Sequence, residues 1–148
     1  MNYRLLTSPN DEDISLILSV YKIPSVSHFI SIDETNYWKY VAETNNVWFY
    51  KVYDDGYLTS TLHLELSNNV LYMGIVVFPE FQKKGIATKI LKDILNGRFC
   101  IEFNKVQVSI DENNIASIKL FENAGFLCAS KDAELFEYVY LNNKAGDQ

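Results

Sequence analysis

The chain has 148 residues, 48% apolar and 22% charged, a balance that suits one globular domain with a sizeable core and leaves little room for a second. Thirteen basic against nineteen acidic side chains give a net charge of −6, which repels nucleic acid and attracts cationic small molecules or peptides. No apolar stretch approaches the ~20 residues of a membrane helix, and the N-terminal MNYRLLTSPN carries no apolar signal core, so a cytoplasmic protein without a membrane partner is expected.

In chain order, Tyr3 to Thr7 reads as a short strand, and Ser8-Pro9-Asn10-Asp11 as helix-start chemistry. The helix that follows has Ile14, Ile17, Leu18 and Tyr21 on one face; Pro24 ends that region. A second helix is expected from about Asp33 to Glu43, with Tyr37, Tyr40 and Val41 on its apolar side. Val47 to Tyr53 is aromatic and β-branched, and Asp54-Asp55-Gly56 is a hairpin turn. The next strand alternates, with Leu58, Leu62, Leu64 and Leu66 on one face and Thr59, Thr61, His63 and Glu65 on the other, solvated one. After the turn at Ser67-Asn68-Asn69, Val70 to Phe78 reads as a strand buried on both faces.

Beyond Pro79 the period becomes helical: Ile86, Ile90, Ile94, Ala87, Leu91 and Leu95 form one stripe that Asn96-Gly97 ends. Val106 to Ile110 is a further strand. Asn113 or Asn114 caps a helix with Ile115, Ile118 and Phe121 inward, stopping at Gly125 with Phe126 placed for the hydrophobic contact that follows a glycine cap. Leu127 to Ser130 and Phe136 to Leu141 complete the order. Cys100 and Cys128 lie in apolar contexts without metal-ligand spacing, so buried free thiols and no metal site are expected.

The junction between the strand ending at Phe78 and the next helix carries the chemistry. A helix N-terminus presents unpaired N–H groups and about half a positive charge, and it binds phosphate where the chain approaches closely. Gly85 permits that approach, Lys83 and Lys84 add positive charge, and Ala87 keeps the first turn uncrowded.

The segment from Ile75 to Ala87, with Gln82-Lys83-Lys84-Gly85-Ile86-Ala87 at its end, resembles the acetyl-CoA signature of the GCN5-related N-acetyltransferase (GNAT) family. Asn114 to Phe126 is similar to that family's second motif, an Asn-led helix ending in Gly-Phe. The resemblance implies a single N-acetyltransferase domain over residues 1–148. The implied fold is α/β of the mixed α+β type: a central, mostly antiparallel seven-stranded sheet with helices on both faces, the acyl-CoA N-acyltransferase-like architecture. It also implies acetyl-CoA as cosubstrate: the backbone of Ile75, Val76 and Val77 on the pantetheine arm, Gln82 and the amides of Lys83, Lys84, Gly85, Ile86, Ala87 and Thr88 at the diphosphate, and Asn114, Ser117 and Phe121 completing the site. The implied reaction is direct acetyl transfer to a primary amine of a small molecule or peptide, with pairing in a homodimer a further expectation.

The catalytic pattern departs from the family. Many relatives have a proton-donating Tyr where this chain has Phe121, and some have a Glu base where it has Ser109. Positioning and oxyanion stabilisation can sustain transfer to an amine without that acid; the alternative is an acyl-CoA-binding sensor or regulatory module without turnover. A two-residue turn at Asn68-Asn69 sets His63 opposite Gly74 and Glu65 opposite Tyr72, which makes His63 and Glu65 the replacement candidates for proton transfer. Tyr138 and Tyr140 are remoter donors.

Overall fold

The structure, a computed structural model, describes residues 1–142. It contains seven strands in the order β1-β2-β3-β4-β5-β7-β6, and the chain divides into two compact units, Met1–Leu64 with Gly74–Lys84 and Glu65–Met73 with Gly85–Gln148. The mixed, mostly antiparallel seven-stranded α/β architecture expected from the sequence is the one observed.

In the first unit, β1 (Asn2–Leu5) pairs antiparallel with β2 (Val47–Asp54), Asn2 opposite Tyr53 and Leu5 opposite Tyr50. Between them lie helices α1 (Ile14–Tyr21), α2 (Pro24–Ser27) and α3 (Tyr37–Glu43). The polar residues before α1 do not cap it. The Ser8 hydroxyl accepts the Asn10 N–H at 3.1 Å and the Asp11 carboxylate accepts the Asp13 N–H at 2.8 Å, so they close turns of their own and delay the helix to Ile14. Pro24 opens α2 rather than ending a helix, because a proline at the first helical position removes no needed donor. In α3 it is Trp38 and Val41 that are buried, with Tyr40 41% exposed. Trp38 and Tyr37 both pack edge-on against Phe49, at ring-centroid distances of 5.2 and 6.1 Å, and this draws the helix face round from the expected one.

The core of this unit joins Leu6, Ile17, Val41, Phe49, Leu58 and Phe78. Beside it, Lys51 is 6% exposed, with its ammonium 3.0 Å from Asp11 Oδ1 and 2.8 Å from Asp13 Oδ2. The Tyr53 hydroxyl donates to the same Asp13 oxygen at 2.6 Å. These hydrogen bonds outweigh the burial that alone would depress the Lys51 ammonium, and its pKa moves up. Lys51 and Tyr53 hold the Asp13 carboxyl below its usual range against a smaller opposing effect of burial.

Strand β3 (Tyr57–Ser67) follows a two-residue turn in which Asp55 and Gly56 take positive φ of 52° and 81°, the backbone that a tight hairpin matches to strand twist. Its Thr face is covered, not solvated: Thr59 and Thr61 are each 1% exposed, and the Tyr21 hydroxyl lies 2.5 Å from Thr61 Oγ1. Asn68 and Asn69, with φ of 52° and 64°, form the second two-residue turn. Strand β4 (Val70–Val77) is half-open rather than buried on both faces: Leu71 is buried, Tyr72 and Gly74 are exposed, and Ile75, Val76 and Val77 are half-buried.

In the second unit, β5 (Lys105–Asp111) pairs in parallel with β4 over Val70–Tyr72 against Lys105–Gln107. It pairs antiparallel with β7 (Leu135–Leu141) along its whole length, and β6 (Leu127–Asp132) lies outside β7. Helix α4 (Ile86–Leu95) buries Ile86, Ile90, Leu91 and Ile94, the expected stripe. It ends with Gly97 at φ 83°, its N–H on Ile94 O at 3.2 Å and the Arg98 N–H on Asp93 O at 2.9 Å, the two-bond glycine termination that Asn96-Gly97 suggested. Helix α5 (Ile115–Asn123) ends the same way: Gly125 has φ 96°, and the Phe126 N–H reaches Phe121 O at 3.0 Å. The Phe121 and Phe126 rings meet at 5.0 Å.

Ile115 is 54% exposed, contrary to its expected inward placement. At ~100° per residue it lies about 120° round the helix from Phe121, whereas Asn114, Ser117 and Ile118 share the side of Phe121. Both cysteines are exposed rather than buried. Cys128 lies on β6, an edge strand with all six residues exposed, and Cys100 in the connection after α4 at positive φ of 55°. No described helix is long and apolar enough to cross a membrane, and no group of metal-ligating side chains forms among the described residues.

Candidate functional site

The chain leaves β4 at Val77, makes a 3₁₀ turn over Pro79–Phe81 and enters α4 through Gln82-Lys83-Lys84-Gly85. The Gln82 side-chain amide donates to Val77 O at 3.1 Å, fastening the turn to the strand it follows. Lys83 (φ 62°) and Gly85 (φ 79°) both take the left-handed conformation. Left-handed residues of this kind turn successive N–H groups to one side and build an anion-binding concavity. Gly85 is the N-cap of α4, and the first turn carries no acidic side chain, so the amides of Ile86, Ala87 and Thr88 begin a helix whose positive end is not neutralised. A Cβ built on Gly85 meets nothing within 4 Å. Gln82, Lys83, Lys84, Gly85 and Thr88 are exposed, Ala87 is half-buried and Ile86 is buried. The Lys84 ammonium lies 5.6 Å over the Phe81 ring, which steadies a cation beside the turn. These features fit a diphosphate.

At the start of α5, Asn114 Oδ1 accepts the Ser117 N–H at 3.2 Å, so Asn114 rather than Asn113 is the cap. Its side-chain NH₂ group keeps its donors without a partner among the described residues. Asn114 and Ser117 are half-buried, and Phe121 is 5% exposed.

His63 and Glu65 are half-buried on the covered face of β3. The two-residue turn sets His63 opposite Gly74 and Glu65 opposite Tyr72, and the Phe78 N–H to Thr59 O bond at 2.8 Å lies in the same register. The sequence reading missed that the Tyr37 hydroxyl meets His63 Nδ1 at 2.7 Å; only the pairing of a helix with a distant strand reveals it. Tyr138 is 3% exposed and donates to Glu122 Oε2 at 2.9 Å. Burial first and the Glu122 carboxylate second push its phenol up to about 12, which makes it a poor proton donor near neutrality.

Ser109 is exposed on β5. Its hydroxyl donates to Glu137 Oε1 at 2.6 Å, from the residue directly opposite on β7. Glu137 was not singled out by the sequence, although it is the one charged residue in the run Leu135-Phe136-Glu137-Tyr138-Val139-Tyr140-Leu141.

A mixed sheet whose fourth strand runs through a left-handed lysine–glycine turn into a helix defines the acyl-CoA N-acyltransferase class of folds. Residues 17–126 match the profile described as the Acetyltransferase (GNAT) family; the chain belongs to that family, and it is an acetyltransferase whose donor is acetyl-CoA. Its fold is similar to that of a domain from Methanocaldococcus jannaschii DSM 2661, with TM-score 0.79, 21% identity, and 95% of this chain and 97% of that one covered. It is similar to Campylobacter jejuni N-acetyltransferase PseH in complex with acetyl coenzyme A, with TM-score 0.76, 15% identity, and 95% and 98% covered. A third similarity is to the dodecameric spermidine N-acetyltransferase from Vibrio cholerae, with TM-score 0.75, 18% identity, and 99% and 96% covered. No curated protein matches the chain in sequence.

Proposed function

We propose that the chain, as one domain over residues 1–148, transfers the acetyl group of acetyl-CoA directly to a primary amine of a small molecule or peptide. The observation that carries the reading is the left-handed Lys83–Gly85 turn at the N-terminus of α4, with two lysines and no acid in the first turn. In this reading the amides of Lys83 to Thr88 hold the diphosphate, with Gln82 fixing the turn. The backbone of Ile75, Val76 and Val77 bonds the pantetheine arm as an added strand does. Asn114 contributes its side-chain NH₂ group, Ser117 its hydroxyl, and Phe121 an apolar surface for the thioester end.

Acetyl-CoA supplies an activated thioester with a thiolate that leaves readily. The chain supplies position, and well-aligned reactants recover as much as about 7–11 kcal/mol of a barrier. Phe121 has no proton to give, so departure of the thiolate proceeds without a side-chain acid at that position. His63, oriented through Nδ1 by Tyr37, and Glu65 are the proposed proton acceptors for the incoming amine. The donor and the acceptor must then be bound together. Initial rates measured at varied concentrations of both should give intersecting double-reciprocal lines; parallel lines, the mark of an acetylated enzyme, would contradict direct transfer.

A further inference from the structure

Strand β5 presents two unlike faces. Val106, Val108 and Ile110 are at most 4% exposed on one, while Gln107 and Ser109 lie on the other, half-buried and exposed. Glu137 stands opposite Ser109 in the β5–β7 ladder, so its side chain projects from that second face. Ser109 Oγ donates to Oε1 at 2.6 Å and Gln107 Nε2 donates to Oε2 at 3.3 Å, one donor to each oxygen. Both donors are neutral, and among the described residues no lysine, arginine or histidine pairs with this carboxylate.

A carboxylate has about four acceptor sites, and these two bonds orient it without cancelling its charge. A half-buried carboxylate with neutral partners alone is incompletely compensated, and its orientation is fixed before any ligand arrives, which lowers the cost of binding a cation. The attacking nitrogen of an acceptor must give up its own charge to react. A permanently oriented carboxylate therefore suits a different nitrogen, one that stays protonated throughout.

We propose that Glu137 binds a second, non-reacting ammonium group of the acceptor, so that the preferred substrates are diamines and polyamines rather than monoamines. Ser109 and Gln107 are positioning residues that hold the carboxylate in place. The proposal rests on the reading of the chain as an amine acetyltransferase and adds to it a substrate class.

The test compares 1,4-diaminobutane with butylamine as acceptors, in the parent chain, E137Q and S109A. The parent should favour the diamine about tenfold or more in kcat/KM, through KM. E137Q, which keeps the side-chain shape and loses the charge, should bring that ratio close to one while leaving the monoamine rate and the KM for acetyl-CoA unchanged; S109A should lower it part of the way. A parent without preference, or an E137Q variant that keeps the full ratio, overturns the proposal. A fall in E137Q that is equal for both amines also overturns it, because a merely structural role moves both. Failure of acetyl-CoA to raise the thermal midpoint of the parent would strike the donor-site reading separately, and absence of turnover with either amine would overturn both.

Discussion

Replacing Gly85 separates the backbone role of the turn from its role as an anion site. Gly85 has φ 79°, and a Cβ there meets nothing within 4 Å, so Gly85→Ala carries no steric clash within the chain. Its cost is the left-handed conformation, about 1–2 kcal/mol for an L residue. At about 2–4 °C per kcal/mol for a chain of this size, the thermal midpoint should fall by about 2–8 °C. Acetyl-CoA at one hundred times its Kd stabilises the native state by about 2.7 kcal/mol, a rise of about 5–11 °C by the same conversion. Gly85→Ala should keep part of that rise, since only a methyl group stands at the point of approach. Gly85→Asp should abolish it, because its carboxylate meets the diphosphate with like charge. The assay is thermal unfolding of the three proteins with and without acetyl-CoA. A full ligand-induced rise in Gly85→Asp would refute the placement of the diphosphate at this turn.

Lys83 holds φ 62° without being glycine; Lys83→Gly should relieve about 1 kcal/mol of strain and raise the midpoint of the free protein by a few degrees, and a fall would contradict that account. Asn114→Ala should cost about 1 kcal/mol by loss of the α5 cap and should also shrink the acetyl-CoA-induced rise; an undiminished rise would leave Asn114 a cap alone. Asp13 has a lowered pKa from Lys51 and Tyr53, so its contribution is present above the unfolded value of about 3.9 and is lost as pH falls through the native one. Asp13→Asn should therefore destabilise by about 1–3 kcal/mol at pH 7, with the gap closing as pH falls below the unfolded value, as urea unfolding at several pH values would show.

Much of the fold was legible because local chemistry and tertiary packing agree. The Asp55-Gly56 and Asn68-Asn69 turns, the α4 stripe and the Gly97 and Gly125 terminations each need special backbone or one apolar face, and the residues announce both. The misplaced residues are those where tertiary partners decide. Tyr40 yields the inner face of α3 to Trp38 because Phe49 of β2 supplies an edge for that ring. The Thr face of β3 looks solvated from alternation alone, yet Tyr21 of α1 covers it. At the candidate site, the turn from strand into helix was readable from Gly85, whereas Glu137 became visible only through the β5–β7 register that sets it against Ser109. Ser109 and the carboxylate across the ladder from it are twenty-eight residues apart, beyond any local pattern.

The chain has Phe121 where many relatives have a proton-donating Tyr and Ser109 where some have a Glu base, and acetyl transfer from acetyl-CoA to an amine is proposed for it without them. The most direct test of that transfer is thiol release from acetyl-CoA across a panel of diamines, monoamines and dipeptides, with mass spectrometry of the products. Amine-dependent thiol release matched by N-acetylated product is the expected result. Binding of acetyl-CoA with no amine-dependent release from any member of the panel would contradict the proposed transfer.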